Sequence, residues 1–396
     1  MEACRRSDAA ELAAAVKAIA RANGAAAVRI AGAGADAPNR DRMRAAIARG
    51  DVATWSYDDA YASAASDPTT LLPGARSVVC IAVPYATPVP RERRGRGRVS
   101  AYAWSSDYHR RMQSTLREIA ARIEALAPAD AAQGGRPMTR VVCDTAPLAE
   151  RAFAARAGLG WVGKHTSLIV KGLGSAVFLG EIVTTLELEP DPPLRASCGA
   201  CTRCVDVCPT GALRGDGTMD ATRCISDLTQ RRDAIPRALR SLVGTWVWGC
   251  DLCNDACPPS VQAGRAGNAA FAPLDDEAAA PDLHALLRVR GAAFENVRRT
   301  AMGWRGAAVL RRNAAVALGN GLDRADVPAL AEALRDDPSP LVRGHAAWAL
   351  GRIASPQAFA ALRSAAGTET DPAVAEEVTA ALEPLGPAAA FNHAKP

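Results

Sequence analysis

Eight of the eleven cysteines in this chain fall between residues 198 and 257, and their spacing leaves that segment few ways to fold. CGACTRCVDVCP reads C-x2-C-x2-C-x3-C-P, the run by which ferredoxins hold two [4Fe–4S] clusters. Thiolates suit such a cofactor because they are soft, charged ligands for a polarizable iron–sulfur core. Two-residue gaps let one loop wrap three corners of a cube, while the fourth cysteine reaches only the other cube. The second run, CDLCNDACP, is one cysteine short. Its x3 gap and Pro258 align Cys250, Cys253 and Cys257 with the last three positions, and Cys224 supplies the missing ligand through a longer loop. The crossing rule then allots Cys198, Cys201, Cys204 and Cys257 to one cluster and Cys208, Cys224, Cys250 and Cys253 to the other. Two zinc sites are the alternative, but zinc ribbons pair C-x2-C knuckles and do not follow three cysteines with C-P. A disulfide framework does not suit a cytosolic chain.

The rest of the chain is ordinary in bulk. Its 396 residues suggest two to three domains. Hydrophobic residues make up 49% and charged residues 22%, as in a globular protein. Aromatic content is only 5%, and abundant alanine points to close helix–helix packing. No apolar run reaches the ~18 residues of a membrane span, so no membrane partner is expected. The first thirty residues resemble a signal peptide superficially. Glu11, Lys17, Arg21 and Arg29 interrupt them at helical spacing, so an amphipathic helix and a cytoplasmic location are expected.

Residues 1–190 mix helical stretches with β-like runs at 77–83 and 175–182, which reads as α+β. Residues 191–265 form the cluster module, and a looser linker follows. The segment 282–388 is helical throughout. LRRNAAVALGN and VRGHAAWALGRI repeat an Ala-Leu-Gly triplet with a period of 32, and a weaker copy lies in 374–386. Helical repeats of this period stack into HEAT-like solenoids.

Two segments carry candidate chemistry. SAYAWSSDYHRRM sets Asp107, Tyr108 and His109 beside Trp104. VVCDTAPLAERAFAARAGLGWVGKHTSLIV ends an apolar run at Asp144, before a turn into a helix. A carboxyl at a strand end suits acid–base work, but it also reads as a helix cap. His109 is open to a structural or a catalytic reading, and Cys143 reads as a small buried residue. GLGWVGK matches no phosphate-binding pattern. Arginines crowd RERRGRGR (91–98) and the segment 288–312, which holds Arg288, Arg290, Arg298, Arg299, Arg305, Arg311 and Arg312 against Glu295 alone. Such a stripe is either a solvated face or a phosphate-binding one.

Together, YAWSSDYHRRM, CDTAPLAERAFAARAGLGWVGKHTSLI, CGACTRCVDVCPTGAL, RCISDLT, GCDLCNDACP, GWRGAAVLRRNAAVALGN and VRGHAAWALGRI resemble the epoxyqueuosine reductase family over nearly the whole chain. The resemblance implies a nitroreductase-related cobalamin domain, a ferredoxin-like two-cluster domain and C-terminal HEAT-like repeats. It implies reduction of epoxyqueuosine to queuosine at the wobble position of tRNA, with electrons passing from an external low-potential donor through the clusters to cobalamin. Asp144 falls on the family's proton-donor position, and an apolar, cofactor-covered pocket, with Trp161 and Leu168 contributing, would raise its pKa. Tyr108 and His109 would line the substrate side. Ser100, Asp144, Leu168, Leu179, Ser226 and Asp251 would contact cobalamin. Arg298, Arg299, Arg305, Arg311 and Arg312 would meet phosphates of the tRNA anticodon stem-loop, and a monomer is expected. Departures from the family's pattern are His165 after the Lys164 of the GK motif, Asp227 within RCISDLT, and no arginine ahead of LLPG. Two other readings share the cluster motif: a dehalogenase-like reductase of a small molecule, and a non-catalytic electron-transfer protein.

Overall fold

The computed structural model describes residues 2–85, 93–126, 138–264 and 268–383, and side chains from residue 8 onward. Cys4, Arg91, Glu92 and the end of the third repeat copy beyond 383 lie outside the described side chains. The protein is α+β, 51% helical and 12% strand. It divides into two compact units that interleave in sequence. One comprises Met1–Val89, Ala101–Asp227 and Asp251–Leu274; the other comprises Pro90–Ser100, Leu228–Cys250 and Asp275–Pro396.

Among the described residues the strands are β1 (Ala27–Gly32), β2 (Ser77–Pro84), β3 (Arg98–Val99), β4 (Thr139–Val142), β5 (Gly160–Val162), β6 (Leu168–Val170), β7 (Val177–Thr184) and β8 (Trp246–Trp248). The first helices are α1 (Glu2–Ala22), α2 (Ala37–Ala48), α3 (Asp59–Ala65), α4 (Tyr108–Glu124) and α5 (Glu150–Arg156).

In the first unit an antiparallel sheet runs β1–β2–β7–β4. Helices α1 and α4 pack on one face and α5 on the other. That double cover explains why the apolar run of β2 does not alternate: both its faces are inside. The faces can be read at β7. A side chain at Gly180 would meet Met112 and Leu116 of α4. Neighbouring Glu181 therefore points to the α5 side, in register with Cys80 on β2 and Val142 on β4. Cys80 and Val142 lie in the same core cluster as Phe153 and Ala154 of α5.

The glycines of GLGWVGK serve the backbone. A side chain at Gly160 would collide with the Ile169 carbonyl across the β5–β6 hairpin, and one at Gly158 with the Pro192 carbonyl. Close approach of two chains, and no phosphate, accounts for them.

The second unit pairs β3 with β8 in parallel and holds the helices Ala307–Gly321, Val327–Asp336, Pro340–Ile353, Pro356–Ala366 and Pro372–Leu382. The Ala-Leu-Gly triplet now has a cause. A side chain at Gly319 would lie 2.7 Å from Ala349 Cβ, and one at Gly351 2.8 Å from Ala381 Cβ. Each repeat's glycine admits the alanine one period later, so stacked helices touch backbone to backbone. That closeness offsets the ~1 kcal/mol of helix propensity a glycine gives up relative to alanine.

Candidate functional site

Helix α4 begins at the site because Asp107 caps it. Its carboxylate accepts the His109 amide at 3.1 Å and the His109 Nδ1 at 2.6 Å. The other ring nitrogen, Nε2, lies 3.1 Å from Asp144 Oδ2. His109 thus bridges two carboxylates. Burial works against charge on the ring, but hydrogen bonds to Asp107 and Asp144 outweigh it and lift the imidazole to about 9. At neutral pH both ring nitrogens carry protons and donate.

Asp144 follows β4 with a left-handed backbone, φ +61°, a conformation that costs a non-glycine residue ~1 kcal/mol or more. It is no helix cap: α5 starts at Glu150, its N-cap position is Ala149, and no side chain caps it. The expected rise of the Asp144 pKa is not what the structure shows. The hydrogen bond from His109 holds this carboxyl below its ordinary range, and burial pushes up by less. An opposite charge in contact outweighs desolvation at a side chain 62% exposed.

Tyr108 stacks between His109 and Phe178, at ring-centroid distances of 4.0 and 4.1 Å. Phe178 in turn meets Tyr85 at 4.5 Å and Phe271 at 4.8 Å. Burial, then the Asp144 charge, pushes the Tyr108 phenol up, so it stays a donor, and it hydrogen-bonds Asp144. Asp107, Tyr108, His109 and Asp144 therefore form one cluster against an aromatic wall. Cys143 is buried and its thiol faces the Leu179 carbonyl at 3.6 Å. His165 is buried and held neutral by that burial, at about 4. It accepts the Ser167 amide and faces Ser175, which meets Ser260 at 3.0 Å.

None of the described cysteines is in a disulfide. Several of the cluster-segment thiols lie close to one another. Burial raises the Cys204 thiol, and Cys198 and Cys257 add to the effect. Burial likewise raises Cys224, with Cys208 beside it, and lifts Cys253 to about 12, with Cys224 and Cys208 adding. Among the described residues no three His, Cys, Asp or Glu side chains are grouped as ligands of a single metal ion. Cys250 closes a segment of the second unit, one residue before Asp251.

The residues expected around cobalamin are mostly inward. Leu168 is buried on β6, and Leu179 and Ser226 are half-buried. Asp251 is buried, and its carboxylate accepts the Ala101 amide at 2.7 Å. Ser100, in the second unit, is buried, and its amide donates to the Trp248 carbonyl at 2.8 Å. A cavity of about 260 Å³ is lined by Tyr85, Ala101, Asp251, Asn254 and Ser260, among others. Asn254 Oδ1 and Trp161 Nε1 are buried polar atoms with no partner in the protein. An acceptor and a donor left unpaired fit a ligand fringed with amides, as cobalamin is.

The arginine expectation needs correction. Arg312 is fully buried and donates to the carbonyls of Leu228, Arg231 and Asp233 and to Asn313 Oδ1 at 2.7–3.1 Å. It ties the 228–233 backbone to the Ala307–Gly321 helix. Arg311 is buried against Asp337, at 2.7 and 3.1 Å. Neither is available to a phosphate. Arg290 also binds Asp337, and Arg288 binds Glu332. Arg298 and Arg299 are exposed, the former bonded to Glu295, and Arg305 stacks 3.5 Å over the exposed Trp304 ring.

Sequence reasoning missed Glu150 and Glu181. Glu150 Oε1 accepts the Asp144 amide at 2.8 Å, and Glu181 is fully buried. A glutamate within the apolar VFLGEIVT strand was the available signal for Glu181.

The family model described as epoxyqueuosine reductase QueG, DUF1730 matches residues 66–145. The 4Fe-4S double cluster binding domain matches 197–260, and HEAT repeats match 306–383. The chain is 36% identical over 327 residues to the epoxyqueuosine reductase of Bacillus cereus, covering 81% of this chain and 84% of that one. It is 38% identical over 325 residues to that of Xanthomonas campestris, covering 78% and 87%. It superposes with TM-score 0.87 and 32% identity on a crystal structure of epoxyqueuosine reductase with an epoxyqueuosine-modified tRNA-Tyr stem loop, covering 94% and 98% of the two chains. With TM-score 0.86, 31% identity and the same coverage, it matches the Bacillus subtilis enzyme, whose catalytic aspartate loop is swung out of the active site.

Proposed function

Because the chain belongs to the epoxyqueuosine reductase family, we propose that it reduces epoxyqueuosine to queuosine at the tRNA wobble position through the His109–Asp144 pair. Removing the epoxide oxygen as water consumes two electrons and two protons. Two [4Fe–4S] clusters held on the allotted cysteines would carry electrons singly, and cobalamin, when bound, would supply low-valent cobalt chemistry at the substrate. The protein supplies the protons and the setting.

An epoxide oxygen is a poor leaving group as alkoxide, and a general acid beside it lowers the barrier. With the Asp144 carboxyl held below its ordinary range and the His109 imidazole raised to about 9, the proton starts on His109. The proton passes from His109 Nε2 to Asp144 Oδ2 and on to the departing oxygen, and Asp107 steadies the ring through Nδ1. A cofactor covering the site would exclude water, remove stabilisation of the Asp144 charge and favour that transfer. Tyr108 lines the substrate side. Leu168, Leu179, Ser226 and Asp251 would hold the cobalamin periphery, with the unpaired Asn254 Oδ1 beside Asp251 in the cavity wall.

In this reading 1–190 is the cobalamin domain, 191–265 the cluster domain and 282–388 the repeat domain that engages the anticodon stem-loop. The protein works as a cytoplasmic monomer fed by an external low-potential donor. The observation that carries the proposal is the 3.1 Å contact between His109 Nε2 and Asp144 Oδ2. The test is anaerobic incubation of the reconstituted protein with cobalamin, a low-potential reductant and tRNA containing epoxyqueuosine, followed by mass spectrometry of the digested RNA. Loss of one oxygen, absent when cobalamin is omitted, is expected. No loss with clusters and cobalamin verified as loaded would overturn it.

A further inference from the structure

The mechanism above leaves two carboxyls unused, one half-buried and one fully buried, directly behind the catalytic loop. Glu150, at the first turn of α5, reaches back to accept the Asp144 amide at 2.8 Å. Glu181 comes up from the centre of the sheet on the same side as Cys80, among residues that pack against α5. Neither Glu181 oxygen meets an N–H or O–H group. What faces them is the Glu150 carboxyl. Two bare carboxylates do not share such a space, because each raises the cost of ionising the other.

Among the described residues no cation pairs with either carboxyl, and the Arg151 charge is the weakest influence on Glu150. Arg151 donates to the Thr166 carbonyl, and Arg156 to the carbonyls of Gly32 and Gly34. The remaining groups facing the pair are the Cys80 and Cys143 thiols, Tyr108 and Asp144, none of them a cation. A proton shared between the two carboxyls resolves it.

We propose that Glu150 and Glu181 are positioning residues for the reaction: Glu181 donates its proton to the Glu150 carboxylate, which is thereby aimed at the Asp144 amide and latches the catalytic loop in its reactive position. The inference rests on reading Asp144 as the proton donor. The latch acts where the backbone most needs it, on a residue held at φ +61°. Titration agrees with the geometry. Burial lifts Glu150 to about 7, the Asp144 amide bond and the hydrogen bond from Glu181 pulling the other way, and burial lifts Glu181 well above the carboxyl range. The latch therefore strengthens as Glu150 ionises, which places an acidic limb near neutrality on the pH profile of the reaction.

Three variants of the holoenzyme test this. Glu150→Ala removes the acceptor. It should lower kcat by roughly tenfold to a hundredfold, the scale of a misplaced catalytic group, with KM for the stem-loop changed less than about twofold. Hydrogen exchange should quicken at the Asp144 amide while the amides of β2 and β7 stay as protected as before. Glu150→Gln keeps an acceptor of the same size and should keep the Asp144 amide protected, which separates the latch from a folding defect. Glu181→Leu removes the donor that holds the Glu150 pKa down, so the acidic limb of kcat should move up by about one pH unit. Unchanged exchange and kcat in Glu150→Ala, or an unmoved limb in Glu181→Leu, would overturn the proposal. Exchange needs no turnover, so it reports on the latch even if the wild-type protein fails to reduce epoxyqueuosine.

Discussion

The two units use buried charge in opposite ways. In the helical unit, Arg311 and Arg312 donate to carboxylate, carbonyl and amide oxygens of the scaffold. In the sheet unit, Asp107, His109, Asp144, Glu150 and Glu181 form a chain of acids and one base in which protons have more than one place to sit. Saturated charge holds backbone together and has nothing left to offer a ligand. Unsaturated charge strains its surroundings and is available to a reaction. Satisfaction of hydrogen bonds, more than residue type, separates Arg311 and Arg312 from the acids around Asp144.

The largest effect that tests the contrast is on catalysis. Asp144→Ala should reduce turnover by about 10²- to 10⁴-fold, the range for a lost general acid, while Tm moves little. Full turnover with both cofactors loaded would place the proton donor elsewhere. Arg312→Ala should do the reverse. It leaves several buried carbonyls without donors, and urea unfolding should show a loss of at least about 3 kcal/mol. A variant as stable as wild type would mean the 228–233 backbone does not depend on that side chain.

Smaller effects follow with pH and salt. The His109 pKa is raised in the folded protein, so the stabilisation from its contacts is full below the unfolded value of 6.5 and disappears as pH rises through about 9. Turnover should decline over the same alkaline range as the imidazolium is lost, and a profile flat through pH 9 would contradict the His109–Asp144 transfer. The smallest change is expected from Arg299→Ala, at the exposed surface. It should lower the salt dependence of stem-loop binding by roughly one phosphate contact. Identical slopes would mark that part of the stripe as a solvated face.

Legibility in the sequence varied with the range of the interaction. The strands at β2 and β7, the helical repeats and the cluster cysteines are local patterns, and each was visible as a period or a spacing. So was the neighbourhood of Asp107, Tyr108 and His109, three consecutive residues at a helix start. Asp144 read ambiguously as a cap or an acid, because the choice depends on where α5 begins and on a histidine 35 residues away. The arginines misled for a related reason. Composition shows a basic stripe, but Asp337 and the carbonyls of 228–233, which absorb Arg311 and Arg312, are distant in sequence.

By itself the sequence determined the two-cluster segment, the repeat period and the α+β class, since cysteine spacing and periodic burial act over a few residues or one helical turn. Only the tertiary structure decided which charges are free. Sheet register set Glu181 beside Cys80, the turn after β4 brought Asp144 to His109, and helix packing buried Arg312. In each case the ionic state follows from groups that the fold, and not the chain order, places within hydrogen-bonding distance.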